Sequence, residues 1–371
     1  MRQPLQGVRV LDFSTLLPGP MATLLLPEAG AEVIKVERPG LGEEMRHYPP
    51  RAGKDSANYV MLNRGKRCVS LDLKAPDALE RLRPLLETAD VLVEQFRPGV
   101  MERLGLGYET LRAKFPRLIY CAITGYGQQG PKANEAGHDL NYMAESGLLG
   151  LGGDEQGQPG VPPALVADIA GGSYPAVMNI LLALWRREKT GQGAFLDISM
   201  TDNLFPFTFW ALGGVQVTGR PPRPGGELLT GGSPRYRIYR TQDGRFLSVG
   251  ALEQKFWELF CALIELPEAL RDDRKNPKAT QAGVAECIAA QSASHWEQRF
   301  SGKDVCCAVV RTLEEALHAP QFEARGLFQH RVSLESGALI ALPVPIVPEF
   351  RGEEKVVDYP APGEGNEDLL G

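Results

Sequence analysis

APDALERLRPLLETADVLV, residues 75–93, joins an amphipathic helix directly to an apolar strand. Leu79, Leu82, Leu85 and Leu86 recur at the helical interval with Glu80, Arg81 and Arg83 on the other face, and Pro84 is placed to kink the helix. Val91-Leu92-Val93 follows at once as a strand. Outward from this unit the pattern repeats: Val8-Arg9-Val10-Leu11, Glu32-Val33-Ile34-Lys35-Val36, Val69-Ser70-Leu71 and Leu118-Ile119-Tyr120 are short β-branched runs with longer amphipathic stretches between them. That alternation predicts an α/β domain with a parallel sheet flanked by helices. A second apolar helix is expected from about Asp168 to Glu188, followed by a strand, Phe195-Leu196-Asp197-Ile198.

These elements place a large domain at residues 1–200. The Pro/Gly-rich tract 219–226 reads as part of a linker, 201–228. Beyond it the texture changes to a hairpin, Tyr236 to Tyr239 and Phe246 to Val249 around Asp243-Gly244, and then mostly helices, so a smaller α+β domain is expected at 229–325. The segment 326–371, with a short strand pair and a Pro-rich stretch, is expected to return to the large domain. Phe- and Trp-rich residues from Leu204 to Val217 read either as the lining of a pocket or as core packing.

Composition sets limits. The chain has 371 residues, enough for about two domains. With 43% hydrophobic and 23% charged residues it has the profile of a globular protein, which excludes disorder, collagen and coiled coil. Forty Lys+Arg against 46 Asp+Glu give a net charge of −6, so no global basic field exists to attract nucleic acid. An anionic ligand must be held by a local cluster. The six cysteines contain no CxxC and the five histidines no metal-ligand spacing, so neither a metal nor a redox cofactor is expected. With no apolar leader and no apolar run of about 18 residues, a cytoplasmic protein without a membrane span is the expectation.

Gly125-Tyr126-Gly127-Gln128-Gln129-Gly130 matches G-x-G-x-x-G after a strand, but Pro131 and the polar residues behind it break the helix a dinucleotide would need. It reads as a glycine loop near a site. Arg38, Arg64, Lys66, Arg67, Lys74, Arg97 and Arg103 fall near predicted strand ends, where ligands of open parallel sheets bind, and could converge on a polyphosphate. Gly137-His138-Asp139-Leu140-Asn141-Tyr142 opens one probable helix and Ala167-Asp168 another. Taken singly, Asp168 reads as an N-cap, His138 as a satisfied loop histidine and Glu253 as first-turn charge.

Together these stretches resemble the class III CoA transferase family, in particular its branch of alpha-methylacyl-CoA racemases. The likeness runs from Gly7-Val8-Arg9-Val10-Leu11-Asp12-Phe13 through Val33 to Pro39, Lys66 to Lys74, Phe96-Arg97-Pro98-Gly99, Glu102-Arg103-Leu104-Gly105, the GHDLNY stretch, Ala167-Asp168 and Gly250-Ala251-Leu252-Glu253. It implies a Rossmann-like large domain formed from both ends of the chain, a small α+β domain, and an interlocked homodimer. By the family pattern Arg38, Leu71, Lys74, Gln95, Phe96 and Arg103 line a CoA site, and an acyl-CoA thioester is the partner, with no cofactor beyond its CoA moiety.

The resemblance also divides the chemistry. In CoA transferases an aspartate at the position of Asp168 is the nucleophile, carrying CoA between carboxylic acids through an aspartyl-CoA thioester. In racemases it is one of two acid/base groups flanking the α-carbon, and a histidine in the GHD motif is the other. His138, Asp168 and Glu253 match the racemase pattern, with Asp139 and Glu253 expected behind the imidazole as orienters, Glu253 being the better bet. The expected reaction is inversion of a 2-methylacyl-CoA through an enolate held by backbone N–H groups near Asp168. CoA transfer is the rival reading, and CoA binding without catalysis the third.

Overall fold

The structure, a computed structural model, describes residues 3–154 and 156–370. The chain divides into two compact units, Met1–Ser146 with Pro163–Pro206 and Gln321–Gly371, and Gly147–Pro162 with Phe207–Pro320.

The first unit is built on β1 (Arg9–Asp12), β2 (Glu32–Glu37), β3 (Arg67–Ser70), β4 (Val91–Glu94), β5 (Ile119–Thr124) and β6 (Ala194–Ser199). They form one parallel six-stranded sheet in the order β3-β2-β1-β4-β5-β6. This is the doubly wound order, and its direction of winding reverses between β1 and β4. A crevice must open there, because the connections leaving the two strands run to opposite sides. Strands β4 and β5 are buried along their whole length, as parallel strands covered on both faces must be.

Helix α1 (Pro18–Glu28) starts on Pro18, whose missing N–H costs nothing at a first helical position, and is buried from Pro18 to Leu26. Helix α2 (Ala78–Thr88) lays Leu82, Leu85 and Leu86 on the core shared with Leu11, Ile34 and Leu92. Pro84 stands on its exposed side, where the carbonyl one turn back can meet water. The stretch expected as one helix from Asp168 has two parts. Ala167–Ser173 is a wide π turn, and α4 (Tyr174–Thr190) continues from it after α3 (Asp139–Glu145) has opened the preceding segment.

By length and composition alone, Ala167–Thr190 could cross a membrane. Here its Ala176, Ile180 and Ala183 are buried and it packs on α1, β5 and β6, as a core helix does. The C-terminal segment belongs to this unit: Arg331–Ser333 and Ala338–Ile340 pair antiparallel, with Val356–Val357 added alongside.

In the second unit the expected hairpin is present as β7 (Tyr236–Arg240) and β8 (Phe246–Gly250), with β9 (Cys307–Val309) on the other edge. Trp257, Phe260, Val284, Ile288 and Trp296, carried on three helices, cover the sheet residues Tyr239, Leu247 and Val249. The stretch 201–228, read as a linker, is not plain linker: it holds helix α5 (Phe209–Thr218), and residues 147–162 also join this unit. None of the ten residues of α5 is buried, so the reading of this apolar helix as core is wrong for the single chain.

Candidate active site

The crevice predicted by the strand order is occupied by a cavity of about 490 Å³. Its walls come from chain segments leaving three adjacent strands: Leu16 and Pro18 after β1, Gln95 to Pro98 after β4, and Thr124 and Gly125 at the end of β5. His138, Asn141 and Tyr142 close it from α3, and Asp168 from the π turn.

The GHD motif works through α3. His138 is the residue capping that helix: its N–H donates to Asn141 Oδ1 (3.0 Å) and its carbonyl accepts from the N–H of Asn141 (2.8 Å). The backbone is thereby tied down and the exposed imidazole is left for the cavity. Tyr142, one turn on, explains two glycines. A Cβ at Gly125 would lie 2.4 Å from its ring and one at Gly137 2.6 Å, and the Tyr142 hydroxyl donates to the Gly137 carbonyl (2.6 Å). The G-x-G-x-x-G stretch therefore begins with glycine to admit an aromatic ring, and no phosphate is needed to account for it.

Asp168 faces the same cavity half-buried. Burial raises its pKa to about 6, the neighbouring Asp139 carboxylate adds to the rise, and His138 opposes it. The imidazole and the carboxyl group thus line one cavity and sense each other's charge. Asp139, expected behind the imidazole, is hydrogen-bonded to the Asp168 backbone. Its Oδ1 accepts the backbone N–H of Asp168 (2.9 Å), so its hydrogen bond positions the Asp168 segment and not the imidazole. Since Ile169 N–H is likewise bound to the Leu165 carbonyl (3.1 Å), these two N–H groups are not available to an enolate oxygen. Glu253 belongs to the second unit, directly before helix α6 (Gln254–Leu263), whereas His138 is in the first.

Of the residues expected at a CoA site, Gln95 and Phe96 line the cavity. Gln95 also braces it, because its Oε1 accepts the Gly19 N–H (2.9 Å). Arg38, Lys74 and Arg103 are exposed beyond the carboxyl ends of β2, β3 and β4, outside the cavity walls. The side chain of Leu71 is buried in the core beneath α2, which leaves its backbone for a ligand. Three cations counted toward an anion site are structural. Arg64 pairs with Glu28 (2.7 Å), Lys66 is buried against Asp12 (3.1 Å), and Arg67 pairs with Asp368 (3.1 Å).

Sequence reasoning passed over Leu16, Asn141 and Tyr142. The last two carried a signal, standing three and four residues after His138 and hence on its helical turn. Leu16 carried none. Among the described residues no group of three or more His, Cys, Asp or Glu side chains is arranged to hold a metal ion.

Known proteins match this chain along nearly its whole length. The pattern of CoA-transferase family III covers residues 5–368, and the chain belongs to that family. It is 37% identical over 378 residues to the human alpha-methylacyl-CoA racemase, covering 99% of this chain and 92% of that protein. It is also 33% identical over 334 residues to the human succinyl-CoA:glutarate CoA-transferase, covering 88% and 76%. A crystal structure of a CAIB/BAIF family protein from Brucella suis superposes with a TM-score of 0.85 at 26% identity, covering 99% of this chain and 98% of that one. The family thus includes relatives of both chemistries, and the chain is an enzyme of that family.

Proposed function

We propose that this enzyme is an acyl-CoA racemase that inverts the α-carbon of 2-methylacyl-CoA thioesters by two-base proton transfer. The observation that carries this reading is that His138 and Asp168 line one cavity, with the Asp168 pKa raised to about 6. A group that must give and then take a proton works best when its pKa lies near the working pH, and burial has moved Asp168 in that direction. In one direction the imidazole removes the α-proton and the Asp168 carboxylic acid delivers one to the opposite face. In the other direction the roles exchange. Asn141 and Asp139 keep the two catalytic backbones in place, and the CoA is assigned to the exposed Arg38, Lys74 and Arg103 with Phe96 beside them.

The second reading is CoA transfer through a thioester on Asp168, favoured by the carboxylate's place in a family that includes named CoA-transferases. One experiment separates the two. Deuterium uptake at the α-carbon of a panel of acyl-CoA esters in D2O, without any added acid, is expected under the racemase reading. Turnover only with a free carboxylic acid, with a hydroxylamine-sensitive adduct on Asp168, would replace it with the transferase reading.

A homodimer is part of the proposal. Met178, Leu182 and Trp185 are exposed on α4, and all of α5 is unburied, more apolar surface than a solitary chain ordinarily presents. In a dimer Glu253 is proposed to support His138. A cytoplasmic setting is proposed with it.

A further inference from the structure

Leu16 forms part of the cavity wall on an unfavourable backbone, with φ at +62°. A residue with a side chain is disfavoured in this left-handed region and persists there only when its surroundings dictate it. Here they do. The Leu16 N–H donates to Glu43 Oε1 at 2.6 Å, and the other Glu43 oxygen is paired with Lys35 Nζ at 2.6 Å. Both partners are buried. Lys35 Nζ also donates to the Ser14 carbonyl (2.8 Å), and the Ser14 N–H is bound by Asp12 (2.9 Å). On the far side of the turn, Ser173 Oγ donates to the Pro18 carbonyl (2.8 Å) and reaches the Asp168 carbonyl (3.1 Å).

The loop between β1 and α1 is therefore clamped at each end, with Leu16 held between. A turn from strand to helix needs no buried ion pair, and burying one carries a desolvation cost that apolar packing would avoid. Glu43 is not itself among the residues lining the cavity. We propose that Glu43, charged and aimed by Lys35, is a positioning residue of the acyl-CoA site: it holds Leu16 in its left-handed turn and so fixes the apolar wall beside His138 and Asp168. This rests on the acyl-CoA reading above and does not depend on which of the two reactions follows.

The test compares two double variants. Lys35→Met with Glu43→Gln keeps an acceptor for the Leu16 N–H and removes both charges of the pair, and the loss of Lys35 to Asp12 is common to both variants. Lys35→Met with Glu43→Leu removes the acceptor as well. The measurements are the calorimetric affinities for free CoA and for a 2-methylacyl-CoA, and kcat on whichever reaction the unsubstituted protein carries out. For the Leu variant, free-CoA affinity should stay within about twofold while the preference for acyl-CoA over CoA and kcat each fall by about tenfold, and the Gln variant should recover most of both losses.

A Leu variant with unchanged preference and kcat, or a Gln variant as impaired as the Leu variant, overturns the proposal. Should the Leu variant not fold, Leu16→Gly removes the wall and relieves the turn without touching the ion pair. It should fold normally and lose the same preference, and an unchanged preference overturns the proposal equally. If the unsubstituted protein transfers CoA and exchanges no α-proton, the racemase reading falls and the role of Glu43 is still decided by these ratios.

Discussion

Asp12 and Asp168 both stand at the carboxyl edge of one sheet, and their surroundings treat the same side chain in opposite ways. Burial alone would raise the pKa of Asp12, but the ammonium groups of Lys35 and Lys66 and hydrogen bonds from Ser14 and Thr23 hold it far below the usual carboxylate range. Asp168 is less buried, has a like charge in Asp139 beside it, and is pushed upward. The first carboxylate is locked in one state because its charge is answered on every side. The second can change state because it is not. At this edge, saturation of the hydrogen-bonding partners distinguishes the charges that hold the loop from those that face a ligand.

The difference is tested most sharply by removing one member from each cluster. His138→Ala should lower the racemisation rate by roughly 10² to 10⁴, the usual worth of a positioned acid/base group. Stability should change by less than about 0.5 kcal/mol, because the imidazole is exposed and the His138 N–H and carbonyl keep their hydrogen bonds with Asn141. Racemisation measured by chiral separation of the product acid, beside a urea titration of each protein, reads both. An undiminished rate would end the two-base assignment.

Lys66→Met should do the reverse. It leaves the Asp12 carboxylate short of a cation and strips donors from Thr23 and Asn63, at a cost of about 3 kcal/mol in the same titration. Unchanged stability would mean that Lys35 alone carries Asp12 and that its charge is not fixed by saturation on every side.

Much of this was legible in the chain. Short β-branched runs and a period-3.6 run identify the strands of the sheet and α2, and the resemblance to the racemase branch brings His138 and Asp168 forward together. Strand order is not encoded in any local pattern, yet it is what opens the cavity between β1 and β4. Cations near strand ends were legible only as candidates. Arg64 and Arg67 have the same side chain as Arg38 and Arg103, and Lys66 the same as Lys74, and what separates them is the long-range partner each meets: Glu28, Asp368 or Asp12. Leu71 came forward through the family pattern, and the burial of its side chain in the core is a long-range fact that no local run carries. Leu16 left no trace because its φ is imposed by Glu43, 27 residues away.

The smallest effect belongs to Asp168 itself, and its sign follows from the raised pKa. Between about pH 4 and pH 6 the folded protein binds a proton at Asp168 that the unfolded chain, with its carboxyl group near 3.8, has already released. Stability from this group therefore falls as the pH rises through that window, and the full penalty is present at neutral pH. Asparagine has no charge to desolvate. Asp168→Asn should match the parent protein below about pH 4 and exceed it at pH 7 by on the order of 1 kcal/mol, a figure reduced for the solvent that reaches this half-buried group. Urea midpoints of the two proteins at both pH values supply the comparison. A variant no more stable than the parent at neutral pH would show that the carboxylate is as well answered as Asp12, which would leave the cavity without a group poised to exchange protons.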